Sequence, residues 1–481
     1  MKKISYKILQ PMLFFIFIFV FSLYVLKTKG VANLDFIWTF GFAHDIRNGY
    51  VPYADFNMIL FPLFATIMAP FAANMTTYCI AGSAIFAGLS TVIFCYIKQL
   101  RWLLVILCAV KLLGIEFWEY NTLMIFFTIF SFITLKEYYK TGKSYLLFLT
   151  GLFLSLALLT KHNVPAIAII WLTIFIAILS VFEKKYKDFA LYALGGILPA
   201  IILLIVSLKY GFLNEMIDIT VLGLGDFSTL RNTHFSVAAI HILVIFIEVA
   251  ILFIQFKTSF KDAFYIFGYV NAGLQIIKME DLFHVICGIM YFGLLFIIIL
   301  QEVPFSPKKF LEDLKQKTIS WNNIAYISFT YSLICAIMLV GTCSAMNYAY
   351  MVSDSNYTLS ESNVYGDVKV NTFFNNVISA TSEYIDNHPN EKVVVISEFA
   401  KAISLYENTH WGVMDMNLLY NGGVSGPEKI INEMYKYDKL ISLQTGSIAS
   451  NDDLYEYMEE HFEVCDTITI EDKEYNVYKT K

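Results

Sequence analysis

Charge is scarce in this chain. Only 15% of its 481 residues are Asp, Glu, Lys or Arg, while 57% are hydrophobic and 17% aromatic. An ordinary soluble domain carries about 25% charged residues. So little charge leaves too much apolar surface for water to tolerate, which excludes a wholly soluble protein and points to lipid as the main solvent. The seven cysteines (Cys79, Cys95, Cys108, Cys287, Cys335, Cys343 and Cys465) contain no CxxC pair and no metal-ligand spacing. Most fall in apolar runs, where a cysteine is a small buried side chain. The scarce charge is also unevenly spread. From Asp354 onward there are 22 acidic residues, 9 lysines and no arginine, so that tail is near -13 and the preceding part near +7. A basic apolar part joined to an acidic tail excludes nucleic acid as a partner.

What the chain has in quantity is apolar runs of bilayer length. Spans are expected near 8–27, 76–97, 102–116, 122–135, 144–160, 164–182, 189–208, 235–256, 263–278, 283–301 and 321–342. The first run resembles a signal peptide but is long and lacks an A-x-A site, so it reads as an uncleaved helix. With eleven spans the two ends lie on opposite sides. Lys and Arg choose between the orientations: 17 fall in segments that are inside if the N-terminus is cytoplasmic, and 8 in the others. The tail is therefore expected outside. The run 58–71 is short and holds Pro62 and Pro70, so it is expected to lie along the interface, within one outer loop of residues 28–75. The outer loop at about 209–234 is expected to act as a mobile cover.

The division expected is residues 1–344 as the membrane domain, 345–370 as a linker and 371–481 as an extracytoplasmic domain. In the tail, helical patterns at 371–387, 427–436 and 452–461 alternate with strand patterns at 392–397 and 439–444 and a closing strand pair. That alternation reads as a small α/β layer. It contains no GxGxxG, P-loop or internal repeat.

The first outer loop carries the most chemistry. Asp35 stands before a helical stretch bearing Asp45 and Arg47, and Asp55 follows the turn at Gly49 to Pro52. An N-cap for Asp35 and a turn for Asp55 are the ordinary uses of such residues. Carboxylates at a membrane face among aromatics are also costly unless used. Three further polar groups stand at expected outer span ends: Glu116, Glu119, Tyr120 and Asn121; Lys161, His162 and Asn163; and Lys278, Glu280, Asp281 and His284. Snorkelling at an interface explains any one of them. Together with Asp35 on one face, they are expected to line an outer cavity, with Lys161 and Arg231 offering charge to a lipid phosphate. No second histidine sits at ligand spacing from His284, so an orienting role fits it better than metal binding.

An Asp soon after the first span, an amphipathic helix, then G-Y-x-P-Y-x-D-F (Gly49 to Phe56) and a proline-bearing apolar segment resemble the GT-C fold of polyprenyl-phosphate-sugar-dependent glycosyltransferases. The protein O-mannosyltransferases and lipid A aminoarabinose transferases belong there. The chain is most similar to their bacterial cell-envelope relatives. The resemblance implies an α-helical polytopic membrane protein with about 11 spans and a small C-terminal α/β domain. It implies a polyprenyl-phosphate-linked sugar as donor, a glycan or glycolipid as acceptor, and the bacterial plasma membrane as location. It also implies a catalytic Asp in the first outer loop, matched by Asp35, although Phe36 stands where the family commonly has Glu. Asp55 is the second candidate. No cofactor is expected, with a divalent metal left open. The rival readings are a lipid-linked saccharide polymerase, ligase or flippase, or a transporter with polar groups at mid-span.

Overall fold

The computed structural model describes residues 6–29, 34–114, 118–223, 260–277, 282–301, 312, 314–316, 321–354, 357–359, 362–417, 422–444 and 452–481. The membrane part holds α1 (Tyr6–Lys29), α2 (Leu34–Arg47), α3 (Leu63–Met68), α4 (Met75–Tyr96), α5 (Arg101–Leu113), α6 (Tyr120–Thr141), α7 (Tyr145–Leu158), α8 (Asn163–Phe182), α9 (Tyr186–Tyr210), α10 (Leu213–Ile217), α11 (Phe260–Ile277), α12 (Leu282–Leu300) and α13 (Trp321–Asp354). A 3-10 turn (Ala69–Phe71) follows α3, and a π-helical turn (Asp218–Leu222) follows α10. Ten of the eleven expected spans coincide with these helices, and the one at 235–256 lies outside the described residues. Six described helices are by themselves long and apolar enough to cross a bilayer. Helix α13 runs on to Asp354, well past the expected span end at 342, so the first part of the expected linker is helical.

The tail holds β1 (Tyr357–Thr358), β2 (Lys369–Val370), α14 (Thr372–Asp386), β3 (Val393–Ile396), α15 (Ala400–Tyr406), α16 (Gly426–Met434), β4 (Lys439–Ser442), α17 (Asp452–His461), β5 (Phe462–Ile470) and β6 (Lys473–Thr480). A 3-10 turn (Gly412–Met416) lies between α15 and α16. One sheet has the order β3-β4-β6-β5, with β3 parallel to β4 and the remaining pairs antiparallel. All four residues of β3 are buried, so its sequence VVVI is an unbroken apolar run rather than an alternation.

Contacts divide the chain into two compact units. The helical unit comprises Met1–Ser22, Ser83–Ile201 and Thr233–Tyr348. The mixed unit comprises Leu23–Gly82, Ile202–Asn232 and Ala349–Lys481. In the helical unit, α12 is largely buried while α9 exposes most of its apolar surface. An exposed apolar helix of that length suits lipid contact. Hydroxyl pairs join the helices: Ser131 Oγ lies 2.7 Å from Tyr269 OH, and Thr134 Oγ1 lies 2.9 Å from Thr150 Oγ1. Such bonds satisfy polar groups that lipid cannot. Helices α7 and α9 touch through glycine, since a Cβ on Gly151 would fall 2.1 Å from the Tyr192 carbonyl oxygen and one on Gly195 2.0 Å from that of Phe148.

The mixed unit packs the first loop into the tail. Phe42, Phe56, Met58, Phe212, Met216 and Met416 share one apolar core. The described part of the loop at 209–234 is docked in that core rather than standing free, and Asp218 Oδ2 accepts hydrogen bonds from Ser425 N (3.1 Å) and Ser425 Oγ (2.6 Å).

Candidate active site

The G-Y-x-P-Y-x-D-F motif is a tight turn. Gly49 ends the α2 region with φ +93°, a backbone that suits glycine. Tyr53 is also left-handed (φ 67°), held by burial and by its hydroxyl, which donates to the Leu60 carbonyl at 2.5 Å. Asp55 closes the turn: its Oδ2 accepts from Val51 N at 2.6 Å, and its own N–H donates to Val51 O at 2.9 Å. Asp55 is exposed. A carboxylate so used is what a turn of this kind selects.

Asp35 lies in the first turn of α2 and is half-buried. An acid there also complements the positive end of the helix dipole. Trp38, Phe42 and Asp45 follow on the same side at helical spacing, so Asp35 belongs to a stripe running the length of α2. Arg47, exposed at the other end, donates from Nη1 to the Pro70 carbonyl at 2.7 Å and ties α2 to the proline-bearing segment.

That stripe meets the tail. Trp38 Nε1 donates to the Glu398 carbonyl at 3.2 Å. Lys401 Nζ lies 2.6 Å from Asp45 Oδ2 and 3.0 Å from Asp415 Oδ2, with all three side chains buried. His410 Nδ1 lies 3.2 Å from Asp415 Oδ2 and 3.7 Å from Asp45 Oδ1. This is an ion-pair approach out of line for a hydrogen bond, so charge is the attraction. The Tyr50 ring stacks on His410 with centroids 3.7 Å apart. Burial opposes the charged forms of Lys401 and His410, but the facing carboxylates outweigh it. They raise the Lys401 pKa above its ordinary value and that of His410 to about 9. Burial likewise opposes the Asp415 carboxylate, yet Lys401 and His410 hold its pKa below the usual range. Asp45, His410 and Asp415 each offer a metal-ligand atom within 4.8 Å of the others. The Lys401 ammonium already lies against both carboxylates, so the group is charge-balanced by protein and does not fit a metal ion.

The helical unit holds a second polar group. Glu119 caps α6, with Oε1 accepting from Thr122 N at 3.0 Å and Oε2 from Asn121 N at 2.5 Å. Its charge is met by Lys111 Nζ at 3.1 Å, and both side chains are fully buried. Lys111 also reaches Cys287 Sγ at 3.5 Å. Lys161 Nζ donates to Asn121 Oδ1 at 2.6 Å and lies 5.1 Å from the Tyr120 ring centre. Asn121 Nδ2 is buried without an acceptor. Asn163 Oδ1 accepts from Val164 N at 2.9 Å at the start of α8, beside the half-buried His162. His284 is buried against Phe283. Of the residues singled out in the sequence, this group unites Asn121 with Lys161, while Glu116, Arg231 and Asp281 lie outside the described residues.

The sequence reading missed Lys401, His410 and Asp415. Lys401 stands in the otherwise uncharged FAKAISLY and Asp415 in GVMDMN. A single charge inside an apolar run signals a buried partner without naming it.

No protein-family description matches the chain, and no curated protein matches it. Among solved structures it is similar to ArnT from Cupriavidus metallidurans in the apo state, with a TM-score of 0.52 at 10% identity over 97% of each chain. A likeness of that extent at such low identity speaks of architecture rather than of conserved chemistry. The chain has a GT-C-like fold, that of a polytopic membrane protein similar in architecture to ArnT.

Proposed function

We propose that this protein is a GT-C-type membrane glycosyltransferase. It moves a sugar from a polyprenyl-phosphate donor to a cell-envelope glycan or lipid-linked acceptor on the extracytoplasmic face of the bacterial plasma membrane. The observation that carries the reading is the full-length likeness to ArnT combined with a carboxylate, Asp35, in the first turn of the helix after α1.

In the proposed reaction Asp35 is the general base. An ionised carboxylate can accept the acceptor's hydroxyl proton. The acceptor oxygen forms a bond to the anomeric carbon as the bond from that carbon to the phosphate oxygen breaks. The electron pair leaves with polyprenyl phosphate, and one displacement inverts the anomeric centre. The leaving phosphate needs donors and positive charge. By their chemistry Lys161 and the buried Nδ2 of Asn121 are the proposed candidates for that role, with His162, Asn163 and His284 as further proposed substrate-binding groups. Arg47, Glu116, Arg231 and Asp281 are the remaining proposed substrate-binding residues. Asp55, whose carboxylate closes a turn, is the alternative base.

Membranes bearing the wild type, Asp35→Asn or Asp55→Asn are incubated with radiolabelled polyprenyl-phosphate hexose and a membrane acceptor fraction. Transfer is expected in the wild type and in Asp55→Asn, and to be lost in Asp35→Asn. Full transfer by Asp35→Asn sinks the assignment of the base.

A further inference from the structure

Helix α2 is gripped by the tail at three points on one stripe. The Trp38 indole donates to the carbonyl of Glu398, just past the end of β3. The Lys401 stem lies directly over Gly41, where a Cβ would come within 2.5 Å of Cε and 3.0 Å of Cγ. The Lys401 ammonium then reaches Asp45 at 2.6 Å. Positions 38, 41 and 45 span about 10 Å of helix at ~1.5 Å rise per residue. A helix held at three such points can neither rotate nor slide. Asp35 continues the stripe one turn before Trp38, so the grip fixes the direction in which its carboxylate leaves the helix.

The chemistry of the grip favours geometry over stability. Asp45 and Asp415 are balanced by Lys401 and, when protonated, His410, all supplied from within the mixed unit. Buried ion pairs of this kind add little net stability over an apolar core, but their charge-assisted hydrogen bonds are directional and favour one geometry. Apolar contacts would hold α2 equally well in several rotations. Glycine at 41 has the same logic, since any side chain there displaces the lysine.

We propose that the C-terminal domain serves the reaction by fixing α2, with Lys401 as a positioning residue for Asp35. The role rests on the reading of Asp35 as base, and its test separates the two. The double variant Lys401→Met/Asp45→Asn removes both Lys401 ion pairs together with the Asp45 charge, and leaves Asp415 balanced by His410. Gly41→Ala keeps every charge but pushes the lysine stem aside. Each is purified in nanodiscs and compared with Asp35→Asn, using polyprenyl-phosphate hexose as the probe donor. Hydrogen exchange of peptides covering 34–47 and 145–158 is measured on the same samples.

The expected result is faster exchange in 34–47 with 145–158 unchanged. With it comes a kcat fall of about a hundredfold, the scale of an ångström-sized misplacement, and a donor KM within about twofold of the wild type. Wild-type exchange in 34–47 for either variant overturns the proposal, as does wild-type kcat while Asp35→Asn is inactive. Faster exchange in 34–47 together with an active Asp35→Asn upholds the grip on α2 and overturns only the reading of Asp35. Should the double variant fail to fold, Gly41→Ala alone decides.

Discussion

At the scale of single residues, the two first-loop aspartates are used differently. Asp55 spends its carboxylate on Val51 N–H. Asp55→Ala is expected to cost about 1 kcal/mol by removing that bond, and Asp55→Asn to cost little because the amide oxygen still accepts. Thermal unfolding of the two variants checks this. His410 carries a pH dependence whose sign follows from its surroundings. Burial works against its charge, but Asp415 and Asp45 raise its pKa from 6.5 to about 9. A raised histidine stabilises the fold fully below its ordinary pKa and loses that contribution as pH rises through the folded value. The unfolding midpoint is therefore expected to fall between about pH 6.5 and pH 9, and His410→Gln to flatten that part of the profile. A midpoint that rises over this range contradicts the assignment of charge.

At the scale of elements, buried charges decide which helices are tied together. Lys111→Met leaves Glu119 charged and buried at the cap of α6, and is expected to cost about 3–5 kcal/mol. Adding Glu119→Gln neutralises the orphaned group and is expected to recover part of the loss, because the amide oxygen can still accept from Thr122 N while the bond from Asn121 N is lost. The double-mutant cycle is read from unfolding in detergent. Gly151→Leu tests helix contact instead. Its Cβ has no room against the Tyr192 carbonyl, so α7 and α9 must separate and the purified variant is expected to lose thermal stability. The elements themselves were legible in the sequence, because span length and period are local properties. The strand VVVI, the helix at 452–461 and the strand pair around EDKEYNVYK all stand where the pattern put them. The grip on α2 was not legible. Asp45 and Lys401 are 356 positions apart, and no local period says which distant charges meet. The same holds for the docking of the 209–234 loop, whose polar sequence read as a mobile cover although Phe212 and Met216 anchor its described part.

At the scale of the molecule, the scarcity of charge was enough to reveal a polytopic membrane protein, and the motif at 49–56 to suggest a GT-C fold. The full-length likeness to ArnT agrees with both. The activity proposed for this fold is the turnover of a lipid-phosphate sugar. It is tested most directly by incubating the purified protein in nanodiscs with polyprenyl-phosphate hexose and acceptor, then following the release of free polyprenyl phosphate by phosphorus NMR. The expected result is release that depends on acceptor and vanishes in Asp35→Asn. Intact donor in the wild-type sample, with lipid-linked sugar merely moved between leaflets of a vesicle, would contradict it and favour a flippase.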